Sequence, residues 1–333
     1  VNPTSSLRIY RGSPPLSGRR PCALSIGNFD GVHLGHQAML MRVCSAAAQR
    51  GLVPAVMTFE PHPREFFARL QGRPELAPIR ISGLRDKILD LAAAGIRQVV
   101  VERFDTRIAS MRAEDFIDTL LVKGLDVRWL LVGDDFRFGA KRAGDVHMLR
   151  AHGGFEVESM DSIADRNGRR ISSTDVRSAL VAGDLDRIHD LLGHRYHLSG
   201  HVTHGLKLGR NLGFPTLNLR VPHACTGLTG IFTVLVHGLG GSPLQGVASL
   251  GVRPTVMDAG RMLLEVHLLD FDGDAYGKLV RVEFLKKLRN EEKFADLDTL
   301  TRAIANDVRN ARAFFAASHV VHTDHATSAT DRI

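Results

Sequence analysis

This sequence predicts an α/β parallel-sheet domain followed by a small antiparallel β-barrel domain with a C-terminal helix, on three observations. From about residue 20 to residue 187, apolar strand-like runs alternate with helical patterns, as crossover connections in a parallel sheet require. After LLGHRYH, short strand-like segments follow one another with Gly, Pro, Asp and Asn between them and no helical pattern. Leu297, Leu300, Ile304, Val308, Ala311 and Phe315 then recur at three- and four-residue steps, with Arg302, Asn306 and Arg309 off the stripe. The expected domains are therefore 1–187 and 188–318, with 319–333 a disordered tail.

A chain of 333 residues, 44% of them hydrophobic, is long enough for two cores. Its net charge of +7 suggests an anionic partner, but the basic residues are scattered and form no nucleic-acid arm, so a nucleotide fits better than a polynucleotide. Cys22, Cys44 and Cys225 are too far apart for a disulfide framework or a CxxC knuckle, which makes a reducing compartment, the cytoplasm, the expectation. The opening VNPTSSLRIYRGSPP lacks the apolar core of a signal peptide, and no window approaches a membrane span, so no membrane partner is expected. An oligomer is compatible with this composition but does not follow from it.

The first strand is expected in Pro21-Cys22-Ala23-Leu24-Ser25-Ile26, and the residues after His36 favour a helix. The stretch SIGNFDGVHLGH (25–36) therefore lies on a strand-to-helix turn, where free helix N-terminal amides favour a phosphate. His33 and His36, three apart, share one face of the first helical turn. A zinc site is disfavoured because HEXXH and a suitably spaced third ligand are absent. A turn shaped by Asn28, Asp30 and Gly31 with incidental histidines competes with the phosphate reading on even terms.

Further strand patterns follow in GLVPAVMTF, RQVVVERF and DVRWLLVGDDF, with helical patterns in SGLRDKILDLAAAGI and AEDFIDTLLVKGL. In RRISSTDVRSALVAGDLDRIHDLLG, Ser172, Ser173 and Thr174 precede a helical run, and Ser172 and Asp175 have capping-box-like spacing. Capping leaves Arg177 unexplained. A cation is unfavourable near the positive end of a helix, so an anion beside it would account for it.

GNFDGVHLGH followed by ISSTDVR resembles the paired signatures of the nucleotidyltransferase superfamily, specifically the FMN adenylyltransferase module of bacterial bifunctional riboflavin kinase/FAD synthetases. TFEPHPREFF (58–67), LRDKILDLAAAGI (84–96) and VGDDFRFG (132–139) are similar to further segments of that module. The resemblance implies a Rossmann-like sheet with ATP held by Gly27, Asn28, Phe29, Asp30, Gly31, His33, Gly35 and His36. It implies that Ser172, Ser173, Thr174 and Arg177 close on the triphosphate, and that His33, His36 and Arg177 serve the reaction. FMN phosphate would attack the α-phosphorus of ATP and pyrophosphate would leave, so positioning and charge stabilisation suffice without a covalent protein nucleophile. Phe59, Pro61, His62, Pro63 and Phe66 are implied as a flavin wall, with a rigid loop the plainer reading. Asp134, Asp135 and Arg137 border the same cleft, and Asp135 is taken on the flavin side.

In the second half the strand-like segments are HLSGHVTHG, GIFTVLVHG, LQGVASLGV, LLEVHLLDF and KLVRVEFLKKL. Residues 204–218, HGLKLGRNLGFPTLN, are glycine-rich but lack the G-K-[ST] ending of a Walker A loop. Gly213-Phe214-Pro215-Thr216-Leu217-Asn218 resembles the riboflavin kinase signature GFPTAN, and the later segments to about residue 315 are similar to that family in order. The resemblance assigns Mg-ATP to Gly209, Arg210, Gly213, Phe214, Pro215, Thr216 and Asn218, with Thr216 and Asn218 on Mg²⁺. It makes Glu265 the base that receives the riboflavin 5′-hydroxyl proton. Glu265 and His267 alternate with Leu264, Val266 and Leu268, so Glu265 points away from the apolar face; a solvated strand glutamate is the bland alternative. Leu217 replaces the usual Ala, and strand alternation turns it away from Thr216 and Asn218.

The expected function is phosphorylation of riboflavin to FMN and adenylylation of FMN to FAD, with Mg²⁺, two ATP, riboflavin, FMN and FAD as cofactor, substrates and products. Alternatives are one live activity only, or a flavin- or RNA-binding regulator with a degenerate site. His319, His322 and His325 could chelate a metal, but a frayed terminus is the favoured reading.

Overall fold

The computed structural model describes residues 7–161, 163–164, 168–205, 209, 212–221, 227–252 and 262–317. Arg210, Cys225 and the tail histidines lie outside the described residues. The described residues up to Tyr196 form one compact unit; those of His197–Val221 and from Leu228 onward form another.

The first unit is a parallel sheet of β1 (Arg8–Arg11), β2 (Cys22–Ile26), β3 (Val53–Glu60), β4 (Gln98–Arg103), β5 (Val127–Gly133) and β6 (Glu156–Met160), in the order β1-β4-β3-β2-β5-β6. Every residue of β2 is buried, because both faces of the sheet are covered and the central strand can be apolar throughout. Successive residues divide between two cores. Ala23 packs with Leu40, Val56, Leu91 and Trp129 on one face, and Leu24 with Met57, Val100, Leu121 and Leu130 on the other. β1 went unforeseen because RIYR is too short and too charged to show a period, which also suits an edge strand.

The crossover helices include α1 (Leu34–Arg50), α2 (Pro63–Leu70) and α3 (Leu84–Ala93), followed by the short α4 (Thr106–Ala109) and α5 (Ala113–Asp115). The helix expected in AEDFIDTLLVKGL continues from α5 as a π-helical turn over Phe116–Val122, with Lys123 N donating to Asp118 O at 3.0 Å. The unit closes with α6 (Val146–His152), α7 (Ser173–Ala182) and α8 (Leu185–Leu192).

In sheet order β2 lies between β3 and β5, so the connection from β2 runs toward one edge while β5 lies on the other side. That reversal is a topological switch point, where the loops beyond the strand ends diverge and leave a crevice. Gly27–His33 follow β2 and Asp134–Phe138 follow β5, so both lie at this crevice.

The second unit is a closed antiparallel barrel of β7 (His197–Thr203), β8 (Thr216–Arg220), β9 (Gly230–His237), β10 (Leu244–Val252), β11 (Met262–Leu268) and β12 (Leu279–Arg289), in the order β10-β11-β8-β7-β12-β9. Leu198, Leu219, Phe232, Val234, Ala248, Leu264, Val266, Val282 and Phe284 are buried, and along β11 and β12 the buried residues alternate with more exposed neighbours. The expected helix forms as α9 (Leu297–Ala317), with Ala311 and Phe315 packed against Ile231, Val247 and Leu269. Leu297, the first member of the predicted stripe, is 57% exposed, whereas off-stripe Asp307 is buried by pairing with Arg289 at 2.8 Å.

Candidate functional site

The GNFDGVHLGH turn is held in an uncommon backbone shape. Phe29 and Val32 have φ of 46° and 37°, a left-handed region costly for residues with a Cβ, and both side chains are buried in the core beside Leu40. Gly31 has φ 81°, and a Cβ there would lie 2.5 Å from Ile81 Cγ2, so the space it leaves is filled by Ile81. His33 caps α1, its Nδ1 accepting from His36 N at 3.3 Å, and its ring stacks on that of His36 with centroids 3.7 Å apart.

Burial pushes the His33 imidazole down to about 4, with Asp30 opposing, and holds His36 well below its ordinary value, helped by His33 and Lys87. Both rings are therefore neutral near pH 7, each able to donate one N–H. His36 Nδ1 is buried with no hydrogen-bond partner.

These groups line a cavity of about 280 Å³ bounded by Gly27, Phe29, His33, Gly35, His36, Gly133, Asp134, Asp135, Arg170, Ser172 and Ser173. Ser172 is the N-cap of α7, its Oγ accepting from Asp175 N at 3.3 Å, so the capping function expected of it and cavity lining coexist. Of the predicted nucleotide residues, Asn28, Asp30, Gly31, Thr174 and Arg177 do not line this cavity. Asp30, 1% exposed, accepts from Ile81 N at 3.1 Å, Ser82 N at 3.3 Å and Arg177 Nη2 at 2.6 Å. Arg177 also donates from Nε to Ile79 O at 2.6 Å, so the anion that explains a cation near this helix start is a carboxylate of the chain itself. Thr174 is exposed and lines neither cavity.

A second cavity, about 680 Å³, shares Ile26, Gly27, Asp135 and Phe136 with the first. Phe59, Phe67, Phe104, Phe116, Phe136 and Phe138 line it, with Asn28, His62, Pro63, Arg64, Arg137, Lys141 and Arg142. Of the predicted flavin wall, Phe59, His62, Pro63 and Asp135 are here, while Pro61 and Phe66 are not in the lining. Phe66 instead stands edge-on to Phe67 and Phe104, at 5.4 Å from each, and so supports the wall from behind. Phe67, Phe104, Phe116, Phe136 and Phe138 are not among the predicted wall residues: they lie on four separate segments, and only the tertiary fold brings them together. His62 caps α2 through Nδ1, accepting from Arg64 N at 3.1 Å. Beneath it buried Arg80 pairs with Glu65 and, at 2.7 Å, with Glu60.

In the barrel unit, register brings three outward polar residues into one row: Ser249 of β10 lies opposite Glu265 of β11, which lies opposite Asn218 of β8. Thr203 of β7 follows, its Oγ1 donating to Asn218 O at 3.1 Å. Thr216 is beside His267, whose Nδ1–H donates to Pro215 O across 2.9 Å. Leu217 pairs with Val266, an inward residue, so it faces away from Thr216 and Asn218. Gly209 binds the turn before β8, Phe214 N donating to Gly209 O at 2.8 Å, while Gly213 with φ 83° lies open. Asn218 Oδ1 is buried without a hydrogen-bond partner, and a Cβ on Gly205 would come within 2.5 Å of it. Ser249, Thr203 and Gly205 carry no signal in the sequence, because their place in the row depends on strand register.

A phosphate-sized cavity at a sheet switch point, joined to an aromatic cavity, and a polar row on a separate closed barrel define a two-unit phosphate-transferring enzyme of the nucleotidyltransferase and small-barrel kinase classes. Residues 17–175 match the FAD synthetase family model and residues 192–315 the riboflavin kinase model. The chain is 46% identical to the bifunctional riboflavin kinase/FMN adenylyltransferase of Escherichia coli strain K12, covering 93% of this chain and 98% of that one. It is 45% identical to the protein of the same description from Pseudomonas fluorescens, over 94% and 99%. A crystal structure described as a macrolide-efflux protein from Streptococcus pneumoniae matches with a TM-score of 0.73 and 26% identity, covering 92% of this chain and 99% of that one. The chain belongs to the family of bifunctional riboflavin kinase/FMN adenylyltransferases.

Proposed function

We propose that the barrel unit phosphorylates riboflavin to FMN, releasing ADP, and that the parallel-sheet unit adenylylates FMN to FAD, releasing pyrophosphate. The observation that carries the second activity is the shared wall of Ile26, Gly27, Asp135 and Phe136 between a small cavity lined by histidines and serines and a larger one lined by phenylalanines. ATP occupies the first, its phosphates against His33, His36, Ser172 and Ser173. The flavin ring lies among the phenylalanines of the second, with Arg64, Arg137, Lys141 and Arg142 available to its phosphate. The FMN phosphate oxygen then meets the α-phosphorus where the cavities join. Neutral imidazoles donating into a desolvated site stabilise charge that builds on the phosphates, without a nucleophile from the protein.

In the barrel unit the residues suit Mg²⁺: the orphaned Asn218 Oδ1 and the Thr216 hydroxyl are hard oxygen donors, two positions apart on one face of β8. Mg²⁺ bound there would neutralise charge on the ATP phosphates. Glu265, beside Asn218, takes the proton of the riboflavin 5′-hydroxyl as that oxygen attacks the γ-phosphorus. Among the described residues no helix is long and apolar enough to cross a membrane, and Cys22 and Cys44 are free thiols, which supports placement in the cytoplasm.

A time course with riboflavin and Mg-ATP tests the whole reading. FMN should rise first with ADP, then FAD with pyrophosphate. Absence of either product pair removes the corresponding activity.

A further inference from the structure

The geometry points to Asp30 as a positioning residue of the adenylyl-transfer site, acting on the nucleotide cavity through Arg177 and not on the nucleotide itself. Neither residue lines either of the two cavities described above. Asp30 belongs to the turn that presents His33, Gly35 and His36; Arg177 belongs to α7, whose start presents Ser172 and Ser173. Their bond of 2.6 Å therefore ties together the two walls that face each other across the phosphate cavity. Ser173 Oγ, donating to Asp30 O at 3.3 Å, is a second tie between the same walls.

The pair is anchored to a third segment. Asp30 accepts the Ile81 and Ser82 amides, Gly31 N donates to Ser82 Oγ at 3.3 Å, and Arg177 Nε donates to Ile79 O. With the Asp30 side chain 1% exposed and that of Arg177 17%, the two charges neutralise each other out of water, where a carboxylate is tolerated only when fully paired and hydrogen-bonded. A guanidinium so engaged has little charge left for a ligand. Separating it from Asp30 to serve a triphosphate would leave the carboxylate buried and unpaired.

This inference rests on reading the smaller cavity as the ATP site, and the test separates the two. Full-length wild type, Asp30→Asn, Arg177→Gln, the double variant and Arg177→Lys are compared for equilibrium binding of a non-hydrolysable ATP analogue and for the KM of ATP in FAD formation from FMN. Riboflavin phosphorylation serves as the control for an intact chain. Each single change should weaken analogue binding roughly 10- to 100-fold, the scale of a misplaced wall, with the KM of FMN changed much less. The double variant should be no worse than the worse single one, because both remove the same tie. Arg177→Lys should fail to rescue, since an ammonium cannot make both the Asp30 and the Ile79 bonds. Should Asp30→Asn not fold, Arg177→Gln is expected by itself to weaken analogue binding roughly 10- to 100-fold and Arg177→Lys to match it. Unchanged or tighter binding in Asp30→Asn, additive losses, or rescue by Arg177→Lys each overturn the positioning role. A wild-type chain that neither binds the analogue nor forms FAD overturns the reading of the cavity instead.

Discussion

Glu265 and Asn218 lie directly opposite each other on neighbouring antiparallel strands, both on the outer face of the barrel. Opposed residues on such strands have Cβ atoms about 4.5–5.5 Å apart, so the amide proposed to hold Mg²⁺ and the proposed proton acceptor can meet one substrate there.

Glu265→Gln keeps size and hydrogen bonding but removes proton acceptance. Its kcat for FMN formation should fall by about 10² to 10⁴, with the melting temperature nearly unchanged. FMN supplied directly should still become FAD at the wild-type rate. Steady-state kinetics with riboflavin and FMN as separate substrates decide, and near-wild-type FMN formation would leave Glu265 a solvated strand residue.

Gly205→Ala places a methyl 2.5 Å from Asn218 Oδ1. Displacing that oxygen should raise the KM for Mg-ATP in riboflavin phosphorylation by about tenfold or more, a shift of about 1.4 kcal/mol, and leave FAD formation from FMN alone. A Mg²⁺ titration of the initial rate should shift to higher concentration in parallel; identical titrations would mean that Asn218 does not hold the ion.

His36→Ala removes a donor proposed to meet the ATP phosphates. FAD formation should fall roughly 10²- to 10³-fold, or about 3–4 kcal/mol, while FMN accumulates from riboflavin. An equal loss of both products in a folded variant would contradict separate sites.

His33 and His62 are both 6% exposed, and burial pushes each down to about 4 from 6.5. Between those values the unfolded chain binds more protons than the folded one, so stability is complete above about pH 6.5 and declines as pH falls toward 4. Each ring should contribute a slope of at most about 1.4 kcal/mol per pH unit in that window. Urea melts from pH 7 to 4.5 should show the decline, and His62→Asn, which can still cap α2, should flatten it. A slope unaltered by the substitution would mean that His62 titrates normally.

Much of this architecture is legible in local patterns. Alternating strand and helix periods predict the parallel sheet, consecutive strands the barrel, and the GNFDGVHLGH and GFPTLN motifs mark where chemistry sits, since the constraints behind them act within a few residues. β1 and the π-helical turn escape that logic, the one too short to show a period and the other a departure from the usual helical step.

What the sequence by itself determined about this protein is its division into two fold classes and the motifs that carry the candidate sites. Tertiary structure alone decided their partners. Arg177 sits 147 residues from the carboxylate that neutralises it, Phe104 and Phe138 reach one cavity from different strand ends, and Ser249 joins Glu265 only through register. Local periodicity reports which face of an element is buried; which distant group completes a charge or closes a cavity depends on where the sheet and the barrel carry the chain.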